Sequence, residues 1–160
     1  MKILVVSDTH RENRNFLKAL EIEGPVDALI HCGDVEGSEY LYESSIDGPV
    51  YIVSGNNDFF SELDSEIEFE ICGYKALLVH GHQYRVSVGD EMLRSEAMER
   101  GVDLLFYGHI HRPVVDYDGR MYVINPGSLT YPRQEGHLPS YVVINIDDKD
   151  DIFVEVKYIR

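Results

Sequence analysis

Tyr107-Gly108-His109-Ile110-His111-Arg112 follows an apolar run from Val102 to Phe106 that reads as a short buried strand. Gly108 is read as freeing the backbone for a tight exit from that strand. Two histidines at i and i+2 on extended chain point to the same side, roughly 6–7 Å apart at the backbone. That spacing suits two imidazoles straddling a pair of metal ions about 3.5–4 Å apart. A polar strand end can carry the same His-x-His pair. The reading therefore depends on matching donors elsewhere in the chain.

Those donors recur in order. Ile3 to Val6 is a continuous apolar run, expected of a strand buried on both faces, and it ends in Ser7-Asp8-Thr9-His10. Ala28 to Cys32 is a second such run, ending in Gly33-Asp34. Val50 to Val53 is a third, ending in Ser54-Gly55-Asn56-Asn57-Asp58. Between them, Phe16, Leu17, Leu20 and Ile22 have helical spacing over 12–22 before Gly24-Pro25, and a second helical stretch surrounds Glu39–Ser45. Strand–helix alternation predicts a parallel sheet with crossover helices, whose carboxyl edge is where ligands bind.

The second half is richer in strands. Ile67, Phe69 and Ile71 alternate with glutamates, and a turn at Cys72-Gly73-Tyr74-Lys75 leads to Ala76–Val79, ending in His80-Gly81-His82. A helix is expected from Gly89 to Arg100, with Met92, Leu93, Ala97 and Met98 inward and Gly101 as its cap. Pro113–Asp116 and Arg120–Ile124 flank a hairpin at Tyr117-Asp118-Gly119. Tyr141–Ile146 and Ile152–Tyr158 form the last hairpin, around the acidic run Asp147–Asp151, which reads as a solvated turn. The pattern is an α/β half followed by a strand-rich half, with sheets packed face to face and helices outside.

At 160 residues and 44% hydrophobic content, the chain is expected to be one domain spanning 1–160. Its net charge of −15 disfavours nucleic acid and anionic membrane as partners, because both are polyanions. No apolar window reaches membrane-spanning length. Cys32 and Cys72 read as buried, reduced residues of a cytoplasmic protein.

Asp8, His10, Asp34, Asn56, His80, His109 and His111 together offer carboxylates, imidazoles and one carboxamide oxygen at strand ends. That mix suits Mn²⁺, Fe²⁺, Zn²⁺, Co²⁺ or Ni²⁺ better than Ca²⁺ or a thiolate-bound ion. The ordered motifs D-x-H, GD, GN, H and GHxH resemble the calcineurin-like metallophosphoesterase family across essentially the whole chain. The short length, His80-Gly81-His82 and Asn125-Pro126-Gly127-Ser128 are similar to its small bacterial and archaeal phosphodiesterase branch, to which the retromer subunit of the same fold is related.

The resemblance implies a four-layer α/β/β/α sandwich holding two divalent ions, manganese favoured. Asp8, His10 and His111 would hold one, Asp34 would bridge, and Asn56, His80 and His109 would complete the second. Asp34, Asn56 and His80 would be the catalytic positions. The implied reaction is in-line attack on a small phosphate ester, most consistently a diester, by a hydroxide bridging the metals. A small homo-oligomer is expected from the likeness alone. The alternative is an interaction scaffold with a vestigial site. A nuclease is disfavoured by the charge and the lack of a basic stripe.

One position departs from the family pattern. Many members carry a histidine directly after the GN asparagine. Here it is Asn57, which can donate a hydrogen bond but cannot act as a general acid. Asp58 is read as structural, His31 as a satisfied core histidine, and His137, Arg112 and Arg133 as solvated. His82 either supports His80 or is purely structural. Asn125 is expected to buttress the site by bonding a ligand histidine. Phe59 and Phe60 are open to three roles: lining a pocket, capping a core or sitting in a dimer contact.

Overall fold

In the computed structural model, which describes residues 1–160, alternation within single strands sets the layers. Strand β1 (Lys2–Val6) sends Ile3 and Val5 to one face and Leu4 and Val6 to the other, and all four are fully buried. A strand can be apolar on both faces only if both are covered. The same holds for β5 (Tyr74–Val79), where Ala76 and Leu78 face one core and Leu77 and Val79 another.

The remaining elements run in order: α1 (Arg14–Glu23), β2 (Ala28–His31), α2 (Glu39–Glu43), β3 (Val50–Ile52), β4 (Glu66–Ile71), then β5. A single 3₁₀ turn at His82–Tyr84 follows, then α3 (Glu91–Glu99), β6 (Leu104–Phe106), β7 (Pro113–Tyr117), β8 (Tyr122–Pro126), β9 (Ser140–Ile146) and β10 (Ile152–Tyr158). Two five-stranded mixed sheets result, in the orders β10-β9-β1-β2-β3 and β4-β5-β6-β8-β7. Ile3, Val5 and Ile30 meet Leu78, Phe106 and Ile124 between the sheets. Phe16 and Ala19 of α1 and Tyr42 of α2 cover the outside of the first sheet, while Leu93 and Ala97 of α3 cover the second. These are the four layers expected.

β1, β2 and β3 are mutually parallel, as are β5, β6 and β8. All five donor segments therefore leave the carboxyl ends of parallel strands. The two sheets do not coincide with the two halves of the sequence, because β9 and β10 return to pair antiparallel beside β1.

Two expectations need correction. Met92 and Met98 of α3 are exposed, at 57% and 44%. The helical period aims only the i, i+4 pair Leu93 and Ala97 at the sheet, so the methionines beside them face outward. Cys72 is exposed and not buried. It and Gly73 form a two-residue hairpin turn with φ of 49° and 78°, and the apolar setting around it belongs to the flanking strands.

Candidate metal centre

The loops after β1 and β2 travel together. The Asp8 N–H donates to the Gly33 carbonyl and the His10 N–H to the Asp34 carbonyl, both at 3.0 Å. With His111 arriving from the β6 loop, the ligand atoms of Asp8, His10, Asp34 and His111 all lie within 4.8 Å of one another. Asp34 Oδ2 is 3.7 Å from His10 Nε2 and 3.6 Å from His80 Nε2, which places this carboxylate between two groups of donors. In the second group, Asn56 Oδ1 lies 3.0 Å from His80 Nε2 and 2.9 Å from His109 Nδ1. All seven residues named from the sequence meet at one place.

The far side of each ring fixes which nitrogen faces inward. His80 Nδ1 has the Cys32 carbonyl at 2.7 Å, His111 Nδ1 has the Tyr131 carbonyl at 2.8 Å, and His10 Nδ1 has a Glu36 carboxylate oxygen at 2.7 Å. Each Nδ1–H is spent on an acceptor, so on this assignment each Nε2 turns a lone pair to the centre. Asn56 Oδ1 then meets His80 Nε2 as one acceptor against another, whereas Asp8 Oδ1, 2.9 Å from His111 Nε2, can be met by a proton on that ring when no metal is bound. Asp8 Oδ1 and His10 Nε2 are buried with no well-directed hydrogen bond. Buried lone pairs left facing one another are costly, and a cation between them removes the cost. The donor set fits divalent metal.

In the metal-free protein, protons on the imidazoles can stand in the metal's place. Burial alone would raise the Asp8 carboxyl, but the approach of His111, the charges of His80 and His111, and the Ser7 hydroxyl together lower it to about 2. Burial would lower His111, and its contact with Asp8 raises it instead. Burial, followed by the charge of His80, pushes His109 down.

The backbone here is strained. Asp8, His10, Asp34, His109 and His111 all have φ between 47° and 68°, a region that side-chain-bearing residues seldom adopt. The two histidines of the GHxH stretch are therefore not on extended chain, as their spacing suggested. A tight turn closed by Ile110 N–H to the Gly108 carbonyl at 2.8 Å sends their rings to different partners, His109 to Asn56 and His111 to Asp8. Gly108 is needed for space and not for backbone freedom, since a Cβ there would overlap Ser7 Oγ and crowd Asp8. At Gly55 a Cβ would overlap the Asp34 carboxylate.

Asp58 holds this strained geometry. Its carboxylate accepts from the backbone N–H groups of Asp34 at 2.8 Å, Val35 at 3.3 Å, Glu36 at 2.6 Å and Gly55 at 2.7 Å. It staples the β2 loop to the β3 loop, the structural role expected of it. Asn125 buttresses the site differently from expectation. Its Nδ2 donates to the Gly108 carbonyl at 2.8 Å, supporting the backbone of the loop and not a histidine ring. Ser128 and Thr130 hydroxyls donate to the Asp8 and Thr9 carbonyls, each at 2.8 Å.

His31 is the satisfied core histidine expected: it receives the Gly33 N–H at 3.2 Å, lies 3.1 Å from Thr9 Oγ1, and is driven by burial to about 3. His82 stands at the rim, its ring 5.4 Å from that of His80, with Nδ1 buried and unpartnered. His137 and Arg112 are exposed, bonding only nearby carbonyls. Glu36, which orients His10, and Tyr131, whose carbonyl orients His111, were not legible in the sequence. Neither position carries a local pattern that marks it.

Comparison with known proteins agrees with this geometry. Residues 1–149 match the calcineurin-like phosphoesterase superfamily domain. A probable metallophosphoesterase of Methanocaldococcus jannaschii is 39% identical over 153 residues, covering 93% of this chain and 78% of that protein. A phosphodiesterase of the same archaeon is 31% identical over 168 residues, covering 94% of each. Among solved structures, a predicted phosphoesterase of Streptococcus pneumoniae TIGR4 superposes with TM-score 0.80 at 25% identity, covering 99% of this chain and 97% of that one. Vps29 of Entamoeba histolytica, complexed with zinc, gives TM-score 0.78 at 25% identity and covers 99% of both chains. With its strand-end donors in this family's order and its fold in the same layers, the chain belongs to the calcineurin-like phosphoesterase superfamily.

Proposed function

We propose that residues 1–160 act as one metal-dependent phosphodiesterase domain. Asp8, His10 and His111 would hold one divalent ion and Asn56, His80 and His109 a second, with Asp34 shared. Manganese leads a set of usable ions that includes iron, nickel, zinc and cobalt. The observation that carries this reading is the convergence of inward acceptors, Asn56 Oδ1 on His80 Nε2 beside the unpartnered Asp8 Oδ1 and His10 Nε2. Bound there, the two cations would acidify water and neutralise charge on a phosphoryl group.

The chain's own residues supply orientation. The Cys32 carbonyl fixes His80, Glu36 fixes His10, and Asn57 fixes Asp34. Water would displace the leaving alcohol directly, because the carboxylates and imidazoles that could form a phospho-enzyme are the groups committed to the metals. The diester preference draws on the phosphodiesterase relative. A cytoplasmic setting suits the two free cysteines. The second reading, an interaction scaffold with a vestigial site, draws on the likeness to Vps29. A scaffold makes no demand on the seven donors, whereas here Asp8, His10, Asp34, His80 and His111 are each held by a further group.

The test is hydrolysis of bis(p-nitrophenyl) phosphate beside p-nitrophenyl phosphate, by metal-stripped protein with single ions added back. Metal-dependent turnover favouring the diester is the expected result. Monoester preference would make it a phosphatase, and silence of folded protein with every ion would favour the scaffold.

A further inference from the structure

A cavity of about 680 Å³ opens directly beside the metal centre, and its lining includes Arg11, Glu39, Asn57, Phe59, Phe60 and Glu62. The size is that of a small-molecule site. It adjoins the centre through Asn57, which bonds Asp34, and through Glu36, which bonds His10. Phe59 and Phe60 are 78% and 101% exposed, immediately after the loop that delivers Asn56. Two adjacent aromatic rings left in solvent at a site's mouth form a stacking platform.

The charge of the lining narrows the occupant. Glu39 and Glu62 form no ion pair, and Arg11 forms none either, its Nε donating to the Glu36 carbonyl at 2.6 Å. Two unpaired carboxylates against one guanidinium make this a poor place for a second phosphate. They are a suitable edge for the ring N–H and amino groups of a base, which can donate to them.

Building on the phosphodiesterase reading, we propose that this cavity takes the nucleoside portion of the ester, with its base stacked on Phe59 or Phe60 and its phosphate at the metal donors. The substrate class is then a nucleotide ester with one phosphate, not an oligonucleotide or a polyphosphate.

Calorimetric titration of the manganese-loaded protein with adenosine 5′-monophosphate and with ribose 5-phosphate isolates the base, and needs no turnover. The nucleotide should bind roughly 5- to 100-fold more tightly, the range that base-on-aromatic stacking supplies. In a Phe59→Ala, Phe60→Ala variant, which removes only exposed rings, that advantage should largely vanish. Equal binding of the two ligands by the wild type overturns the nucleoside cavity and leaves the phosphodiesterase reading standing. An advantage that survives the double substitution also overturns it, including the case where the variant changes only self-association. Failure of both ligands to bind overturns the nucleoside cavity, and removes the reading on which it rests only if the same protein also fails to hydrolyse bis(p-nitrophenyl) phosphate.

Discussion

Asn57 holds both oxygens of Asp34: its backbone N–H donates to Oδ1 at 2.9 Å and its side-chain Nδ2 to Oδ2 at 2.8 Å. The residue standing where many relatives carry a histidine is thus committed to the carboxylate between the two donor groups. Removing the side-chain amide leaves only the backbone N–H on Oδ1 and loosens Asp34. Asn57→Ala should weaken divalent-metal binding by about 10- to 100-fold, the range seen when a partner of a metal ligand is lost. Metal titration followed by calorimetry reads this directly, and unchanged affinity would sink the positioning role.

The same asparagine cannot protonate a leaving group. General-acid help is typically worth about 10²–10⁴-fold, so hydrolysis should fall steeply as the leaving alcohol becomes more basic. A series of aryl methyl phosphates with graded leaving groups should give a steep dependence. A flat one would show that another group supplies the proton.

Substitution of the donors themselves should separate enzyme from scaffold. Asp34→Asn and His111→Ala are expected to lower metal-dependent diester hydrolysis by at least about 10³-fold, because each removes an anchor of the charge that stabilises the displacement. Unchanged rates in both variants would remove the proposed site. On a chiral thiophosphate diester, direct attack by water should invert configuration at phosphorus, whereas a covalent intermediate would retain it.

Asp58 predicts a stability effect that does not depend on catalysis. Asp58→Ala leaves four backbone N–H groups without their acceptor in a loop of strained φ, and should destabilise metal-free protein by on the order of 3–5 kcal/mol. Denaturant unfolding of both proteins measures the difference. A loss within error of zero would mean that other groups hold the two loops.

His31 sets a pH dependence whose sign is fixed by burial. Its folded value of about 3 lies below the ordinary 6.5, so the unfolded chain takes up a proton first as pH falls. The stabilisation is complete above about pH 6.5 and is lost progressively towards about pH 3, on the order of a few kcal/mol in total. His82 and His109 are also held low by burial and by His80, and tilt the curve the same way. The difference between wild type and His31→Gln, unfolded in urea at pH 7.5, 6 and 5 without metal, isolates the His31 contribution. Parallel curves would rule it out.

The sequence by itself determined which residues gather at the candidate site and in what order they are delivered. Apolar runs such as Ile3–Val6 and Ala28–Cys32 must be buried on both faces, and each ends abruptly in polar donors that a core could not absorb. That pattern is local, so it was legible without coordinates. Helix-face assignments such as Met92 and Met98 failed because an apolar residue beside the buried pair looks the same in sequence whether or not a sheet lies opposite it. Only the tertiary structure decided that the last hairpin joins the first sheet, that His109 and His111 part company across a tight turn, and that Asn57 turns to Asp34. It alone revealed Glu36 and Tyr131 as groups that orient the site, and which backbone groups Asp58 holds. Those bonds join residues distant along the chain, and a hydrogen bond between loops leaves no periodicity in either one.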